Sequence, residues 1–285
     1  GMTSHDIVSI VRKRLNIKKV GHAGTLDPGA AGVLPVCVGQ ATKISQYLLD
    51  SNKKYRTELT LGVRTDTEDM YGTVIGRSSV VSTKEEIERA IMSFIGTYNQ
   101  IPPMYSAVKI KGKRLYELAR KGIEIERNSR TVTVYSIDII EIEGNKAMFD
   151  VLCSKGTYIR TLCKDIGDVL GCGGTMSFLL RTVSGKFDLE TTVTVEELLE
   201  TERIEDLLLP SDFPLEHMPK IIVKPISVKQ ALNGNNIYSY YSTDNEKVSS
   251  GTKVRIYIKK QFIGFGIVKC DKIGMNYIKV LRLLL

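Results

Sequence analysis

Histidine is scarce in this chain, and the scarcity argues against one common kind of site. The 285 residues include three histidines, His5, His22 and His217. A histidine-rich metal centre needs several imidazole ligands close together, and no acidic cluster in the sequence has the spacing of a magnesium site. We therefore expect no metal ion in the functional site.

Long apolar runs and paired cysteines are also missing. No run is long enough to span a bilayer, and the chain starts with a polar segment rather than a signal peptide. The cysteines are odd in number and none belongs to a Cys-x-x-Cys motif. They are Cys37, Cys153, Cys163, Cys172 and Cys270. These features predict a soluble, cytoplasmic protein with reduced thiols and no membrane partner.

Positive charge exceeds negative charge by a modest amount, and part of the excess is concentrated locally. Forty Lys and Arg residues against 32 Asp and Glu residues give a formal net charge of +8. Eight basic residues but three acidic ones lie between positions 109 and 130. The basic ones are Lys109, Lys111, Lys113, Arg114, Arg120, Lys121, Arg127 and Arg130. This cluster is either a solvated helical face or a grip on the phosphate backbone of a nucleic acid.

Apolar periodicity predicts an α+β fold with a mixed, largely antiparallel sheet and flanking helices. The predicted helices are Asp6–Leu15, Lys84–Ile95 and Tyr158–Leu170. The predicted strands are Tyr55–Leu61, Gly72–Ile75, Val132–Ile140 and Met148–Leu152. Prolines between positions 210 and 225 indicate a boundary near residue 220. We therefore predict a large domain over residues 1–219 and a small domain over residues 220–285.

The small domain contains short apolar segments separated by glycines. These segments are Val228–Gly234, Lys253–Ile258 and Phe262–Ile267. Short strands joined by glycine turns are typical of a small β-barrel. We predict such a barrel, and it either binds RNA or only supports the larger domain.

A glycine-rich segment over residues 21–34 holds a single carboxylate, Asp27. Its glycines permit positive φ angles and a close approach of the backbone to a ligand, while Pro28 stiffens the chain after Asp27. A phosphate-binding loop would continue with Lys and then Ser or Thr at the start of a helix, and this sequence does not. The alternatives are a loop that presents Asp27 for chemistry and an ordinary turn with an Asx-type hydrogen bond.

Residues 21–43 resemble the catalytic motif of the TruB-type tRNA pseudouridine synthases, including Gly32-Val33-Leu34-Pro35 and Gly39-Gln40-Ala41-Thr42-Lys43. The resemblance implies a pseudouridine synthase fold and makes Asp27 the catalytic nucleophile. It implies that the enzyme flips a uridine out of its loop, with His22 filling or propping the space that the base leaves.

Three further segments resemble motifs of the same family, in the same order along the chain. Lys53–Arg56, followed by Leu61–Asp69, resembles the second motif, which implies that Tyr55 lies against the target base and transfers a proton. Lys155–Leu162 resembles the third motif, which implies that Arg160 pairs with Asp27 and that Tyr158 holds the base. In Phe178–Arg181, the resemblance places Leu179 against the uracil ring.

Residues 100–120 resemble the start of an RNA-gripping thumb insertion, which we place at about residues 100–130. This likeness implies that Lys109, Lys113 and Arg114 contact RNA, and it favours the stand-alone bacterial enzymes.

The C-terminal segments resemble a PUA domain, an RNA-binding module. Gly1–Asp6 resembles the second half of a motif that in the family begins with a strand and a Lys-Pro step, so a late start or a truncation is expected.

The resemblance as a whole implies an isomerase that converts the uridine at position 55, in the T-loop of tRNA, to pseudouridine. It implies no cofactor and no metal, with the T-arm of tRNA as partner and a monomeric enzyme. Two alternatives stay open. One is the catalytic subunit of an RNA-guided pseudouridylase, and the other is a tRNA-binding or folding factor without activity.

Overall fold

The computed structural model describes residues 1–110, 112–242 and 248–285, and the chain divides into two compact units. The first unit comprises Gly1, Leu26–Leu34 and Asp50–Thr192, and the second comprises Met2–Thr25, Pro35–Leu49 and Val193–Leu285. Lys111, one of the eight clustered basic residues, lies outside the described residues. The domain boundary near residue 220 stays a prediction.

The described residues form seven α-helices and eighteen strands. The helices are α1 Ser4–Leu15, α2 Ser45–Leu49, α3 Lys84–Met92, α4 Leu115–Ala119, α5 Ile159–Val169, α6 Val195–Glu200 and α7 Val228–Leu232. The strands are β1 Val20–His22, β2 Ala31–Gly32, β3 Val36–Val38, β4 Lys53–Leu61, β5 Val63–Thr65, β6 Val74–Arg77, β7 Gly96–Gln100, β8 Lys109–Ile110, β9 Lys113–Arg114, β10 Arg130–Glu143, β11 Lys146–Cys153, β12 Gly174–Ser184, β13 Phe187–Asp188, β14 Lys220–Val223, β15 Tyr240–Ser242, β16 Lys253–Ile258, β17 Gln261–Cys270 and β18 Asn276–Leu283. Within the described ranges, no helix is long and apolar enough to cross a membrane.

The first unit is built on one large sheet with the strand order β13-β12-β4-β11-β10-β7. All of these pairs are antiparallel, and the short β2 joins the sheet parallel to β12. Every second residue of β11 is buried, as a strand with one face on a core requires. Apolar residues of α3 and α5 belong to the same core cluster as this face. The predicted α+β class and largely antiparallel sheet are confirmed.

The second unit contains a five-stranded sheet with the order β15-β14-β16-β17-β18 and the short helix α7. The prediction of a strand over Val228–Gly234 is wrong, because this segment forms α7. Its apolar residues Val228 and Ala231 are three positions apart and pack on the same cluster, which is helical spacing. Gly234 has φ of 73° just beyond the helix.

Two of the predicted helices begin at clear start signals. Thr83 accepts a hydrogen bond from the Glu86 amide, and the Glu86 side chain bonds back to the Thr83 amide, so both form a capping box at α3. Thr3 and Asp6 form the same arrangement at α1. Each box satisfies amide groups that have no partner within the first helical turn. These short-range signals explain why the helix starts were predictable to within two residues.

Helix α5 crosses the start of β12 so closely that the contact has room only for glycine. A Cβ atom added to Gly167 would lie 2.1 Å from the backbone nitrogen of Gly174 and 2.2 Å from the carbonyl carbon of Gly173. The Gly173 amide also donates to the Gly167 carbonyl oxygen at 2.8 Å. This contact fixes the C-terminal half of α5 on the sheet.

Replacing Gly167 by Ala should therefore destabilise the protein. The added methyl group meets backbone atoms, which cannot rotate away as a side chain can, so we expect a loss of about 1–3 kcal/mol in the free energy of unfolding. Urea unfolding measures this loss. Gly76→Ala is the matched control, because a Cβ atom there would meet only the Arg64 side chain, at 3.7 Å. Equal stability of the two variants would contradict the tight crossing.

Candidate active site

The loop that carries Asp27 is anchored to strand β12. The Val33 amide donates to the Arg181 carbonyl oxygen at 2.8 Å, and β2 pairs with β12 at Gly32. Gly32 has φ of 108°, and a Cβ atom there would lie 2.2 Å from the Arg181 carbonyl oxygen. Only glycine fits this position. The anchored backbone leaves the Asp27 side chain 38% exposed.

Asp27 forms a two-point ion pair with Arg160. Arg160 Nε lies 2.9 Å from Asp27 Oδ2, and the terminal Nη2 donates to Oδ1 at 3.3 Å. Arg160 is only 4% exposed, although it lies in the first turn of α5. Such a forked contact fixes the direction of the carboxylate as well as balancing its charge. The structure thus brings together the two residues that the resemblance paired.

The remaining guanidinium donors of Arg160 are also used. Nη1 donates to the Thr67 carbonyl oxygen at 3.0 Å, and Nη2 donates to the Tyr105 carbonyl oxygen at 2.8 Å. A second carboxylate, Asp69, lies 3.8 Å from Nη1 through its Oδ2. The guanidinium therefore has its plane fixed by groups from three separate segments of the chain.

Asp69 is itself held in place, and sequence reasoning did not single it out. Its Oδ1 accepts hydrogen bonds from Thr67 Oγ1 at 2.7 Å and from the Tyr71 amide at 3.0 Å. The neighbouring Glu68 has φ of 64° and accepts a bond from Thr161 Oγ1 at 2.6 Å. Burial raises the pKa of Glu68. The only sequence signal for this cluster was the likeness of residues 61–69 to the family.

Tyr55 lies on β4, partly buried, next to a second buried arginine. Burial raises the pKa of Tyr55, while the charge of Arg181 and a hydrogen bond from it act in the opposite direction. Arg181 is 1% exposed, and its Nε donates to the Val33 carbonyl oxygen at 2.7 Å. One guanidinium thus contacts both the Asp27 loop and the hydroxyl of Tyr55. Sequence reasoning gave Arg181 no role.

Lys53 is a third cation on the same face of β4 as Tyr55, two residues away. It is buried, and it donates to the Ser51 carbonyl oxygen. Burial first, and then the charge of Arg181, lowers its pKa to about 8, against the opposing effects of Cys153 and Asp50. The folded protein therefore disfavours the charged form of Lys53.

The other predicted contact residues lie at several places. Tyr158 directly precedes α5, where its amide donates to Gln100 Oε1 at 2.8 Å and its carbonyl oxygen accepts from Gln100 Nε2 at 3.0 Å. Leu179 lies on β12 and belongs to the core cluster of the first unit. His22 ends β1 in the second unit, opposite Val36. The contacts of these three with a substrate stay predictions.

The basic cluster begins with a small hairpin. β8 and β9 pair Lys109 with Arg114, and Lys113 lies exposed at the turn. Arg114 Nη1 donates to the Tyr116 hydroxyl at 2.8 Å, and its guanidinium lies 5.8 Å from the ring centroid. Cationic groups beside aromatic rings suit contact with RNA.

Among residues 1–110, 112–242 and 248–285, no group of three His, Cys, Asp or Glu side chains is placed to hold a metal ion.

Two family models match consecutive parts of the chain. Residues 12–159 match the N-terminal domain of the TruB family of pseudouridylate synthases, and residues 160–216 match the C-terminal domain of tRNA pseudouridylate synthase B. The first match contains Asp27 and Tyr55, and the second begins at Arg160. The ion pair of the site thus joins the two matched segments.

Curated relatives and solved structures are similar to the chain over most or all of its length. tRNA pseudouridine synthase B of Alkaliphilus oremlandii is 64% identical over 284 residues, covering 100% of this chain and 95% of the relative. The enzyme of the same name from Clostridioides difficile is 47% identical, covering 93% and 90%. A crystal structure of a Cbf5-Nop10-Gar1 complex contains a chain that is 30% identical, with a TM-score of 0.73, covering 100% of this chain and 82% of that one.

Lys53 should make the stability of the protein depend on pH in a defined window. Its pKa falls from 10.5 to about 8 on folding, so between these values the unfolded chain binds a proton that the folded protein does not. Stability from this residue therefore rises with pH. Between pH 8 and pH 10, we expect the free energy of unfolding of the wild type to rise by about 1–3 kcal/mol relative to that of Lys53→Gln, measured by urea unfolding.

Lys146→Gln is the control for this effect. Lys146 is exposed on the surface, where it pairs with Glu58 at 3.0 Å, and other titrating groups are common to all three proteins. The wild type and Lys146→Gln should therefore keep a constant difference between pH 8 and pH 10. A constant difference between the wild type and Lys53→Gln would contradict the lowered pKa.

Proposed function

The chain belongs to the TruB family of pseudouridylate synthases, and on that premise we propose that it isomerises uridine to pseudouridine in the T-loop of tRNA. The observation that carries this proposal is the ion pair of Asp27 with the buried Arg160, which presents a half-exposed carboxylate on a fixed loop. The relatives of 64% and 47% identity are named for the same activity on tRNA.

The reaction is redox-neutral and needs no co-reactant. The bond from ribose C1′ to uracil N1 breaks, a bond from C1′ to C5 forms, and N1 gains the proton that C5 loses. We propose Asp27 as the nucleophile, with attack either on the ring or on the sugar. Arg160 holds the two carboxylate oxygens of Asp27 in a fixed direction. It also balances the negative charge of Asp27 when a bound base excludes water.

Tyr55 is our candidate for the proton transfer. Its pKa is raised by burial, so its hydroxyl keeps its proton under ordinary conditions, while Arg181 orients the oxygen and limits the rise. A proton donor and acceptor beside the reacting base is what the exchange between C5 and N1 requires. Tyr158 and Leu179 complete the proposed base pocket. We propose that His22 fills or props the position that the flipped base leaves in the RNA loop.

The proposed RNA contacts extend beyond the pocket. Lys109, Lys113 and Arg114 would grip the phosphate backbone from the thumb segment. In the proposed PUA-like domain, Lys224 Nζ lies 4.6 Å from the ring centroid of Tyr241, which is exposed, a pairing of charge and aromatic surface that suits RNA. We propose that the T-arm is the recognised part of the tRNA and that the enzyme is monomeric and cytoplasmic.

An RNA-guided pseudouridylase subunit is the second candidate. Besides the Cbf5 complex, a structure of an H/ACA RNP bound to a substrate RNA is similar, with 27% identity and a TM-score of 0.74. The higher identity to enzymes named for tRNA favours the stand-alone reading. Activity of the purified protein on bare tRNA separates the two candidates, since a guided enzyme needs guide RNA and protein partners.

Asp27→Asn should abolish pseudouridine formation and leave tRNA binding nearly unchanged. Asparagine has the shape of aspartate but is no nucleophile, whereas phosphate contacts dominate affinity, so we expect the dissociation constant to change by less than about threefold. The measurement maps pseudouridine by position in an unmodified tRNA transcript incubated with the purified protein alone. Turnover by the variant would refute the role of Asp27. Binding without turnover by the wild type would favour a guided subunit or an inactive binding factor.

Arg160→Lys should lose activity although the charge is kept. A lysine has one ammonium group in place of the planar fork that contacts Asp27 and two carbonyl oxygens, so we expect the single-turnover rate to fall by about 100-fold. Arg203→Lys is the control, because Arg203 forms an exposed pair with Asp206 at 3.3 Å. A wild-type rate in Arg160→Lys, with the fold verified by circular dichroism, would rule out the orienting role.

A further inference from the structure

Tyr71 is an exposed aromatic side chain next to the Asp27 loop. It lies in the turn between β5 and β6 and is 77% exposed. The turn is held by the Asp66 carboxylate, which accepts a bond from the Thr73 amide at 2.7 Å. Large aromatic side chains gain most from burial, and the Tyr71 ring forgoes most of this gain unless a partner covers it.

The ring is nevertheless fixed on one side. A Cβ atom added to Gly29 would lie 2.0 Å from Tyr71 Cε2 and 2.5 Å from Cζ, so the ring edge rests directly on the glycine backbone. The Tyr71 amide donates to Asp69 Oδ1, and Asp69 Oδ2 faces Arg160. Tyr71 is thus tied at its ring to the loop of Asp27 and at its backbone to the partner of Arg160.

The ring is also close to the reacting position. Gly29 follows Asp27 by two residues, a span of at most about 7 Å. Beside Tyr71, the side chains of Met70, Val74 and Ile75 are exposed as well. A rim of apolar and aromatic groups suits the faces of nucleobases, whereas phosphates are bound by Lys, Arg and backbone amides.

We infer that Tyr71 is a stacking platform for an unpaired base of the substrate RNA, next to the uridine that enters the site. The inference rests on the proposed function. In the proposed function the target uridine lies between Asp27 and Tyr55, so the base on Tyr71 would be a neighbour in the same loop. Aromatic stacking tolerates any base, because every base offers a flat face. Tyr71 therefore adds affinity and holds the loop open rather than reading sequence.

The test uses a T-stem-loop RNA with 2-aminopurine beside the target uridine. Its fluorescence reports stacking, and the Asp27→Asn background prevents turnover during binding. We expect Tyr71→Ala to raise the dissociation constant by about tenfold and to lose the stacking signal, and Tyr71→Phe to retain both. The salt dependence of binding should stay unchanged, because no phosphate contact is removed. Tyr135→Ala, an exposed tyrosine on β10, should bind as the Asp27→Asn parent does.

The same substitutions in the active enzyme separate a platform from a support for the loop. If Tyr71 is a stacking platform, Tyr71→Ala should have a higher KM than the wild type, with kcat within about twofold of the wild-type value. A fall in kcat with unchanged affinity would overturn the inference and make Tyr71 a support for Gly29. Unchanged binding in Tyr71→Ala, or equal losses in Tyr71→Phe, would overturn it too. If the wild type binds the RNA without making pseudouridine, the proposed function fails, and the fluorescence comparison still decides the platform.

Discussion

Arg160 brings a permanent positive charge to a position with almost no access to water. A buried charge is costly unless it is paired and its hydrogen bonds are satisfied. Its partners come from the Asp27 loop, from residues 67–69 and from Tyr105. The folded state must bring these three segments to one guanidinium, so the geometry that orients the carboxylate is also a condition for burying the arginine.

Strand β12 supplies the second constraint. It pairs with β4, which carries Tyr55, and with β2, which ends the Asp27 loop. Arg181, on that strand, bonds to the loop through Val33 and to the hydroxyl of Tyr55. The proposed nucleophile and the proposed proton carrier are therefore positioned from the same strand, and a shift in its register would displace both. The pKa of Lys53 is lowered first by its burial on β4 and then by the charge of Arg181.

Sequence patterns predicted the elements better than the contacts between them. Alternation and capping signals are local, so β11 and α3 were predicted within two or three residues. Asp27 and Arg160 lie 133 residues apart, and no spacing rule joins them; their pairing came from the resemblance alone. Arg181 was missed because an arginine in a strand normally faces solvent, and its burial depends on a carbonyl oxygen that only the folded loop supplies. The strand predicted over Val228–Gly234 is wrong because seven residues are too few to distinguish the two-residue period of a strand from the 3.6-residue period of a helix.

Two glycines near Asp27 make room for other parts of the protein, which the sequence alone does not show. Gly32 makes room for the Arg181 carbonyl oxygen, and Gly29 makes room for the Tyr71 ring. Both therefore accommodate protein atoms rather than a ligand, and the loop backbone is packed against the protein at these two positions. A packed loop cannot adjust to its substrate at low cost, so the direction of the Asp27 carboxylate is set before RNA arrives. What remains adaptable is the exposed rim, where Tyr71 can contact a base without disturbing the ion pair beneath it.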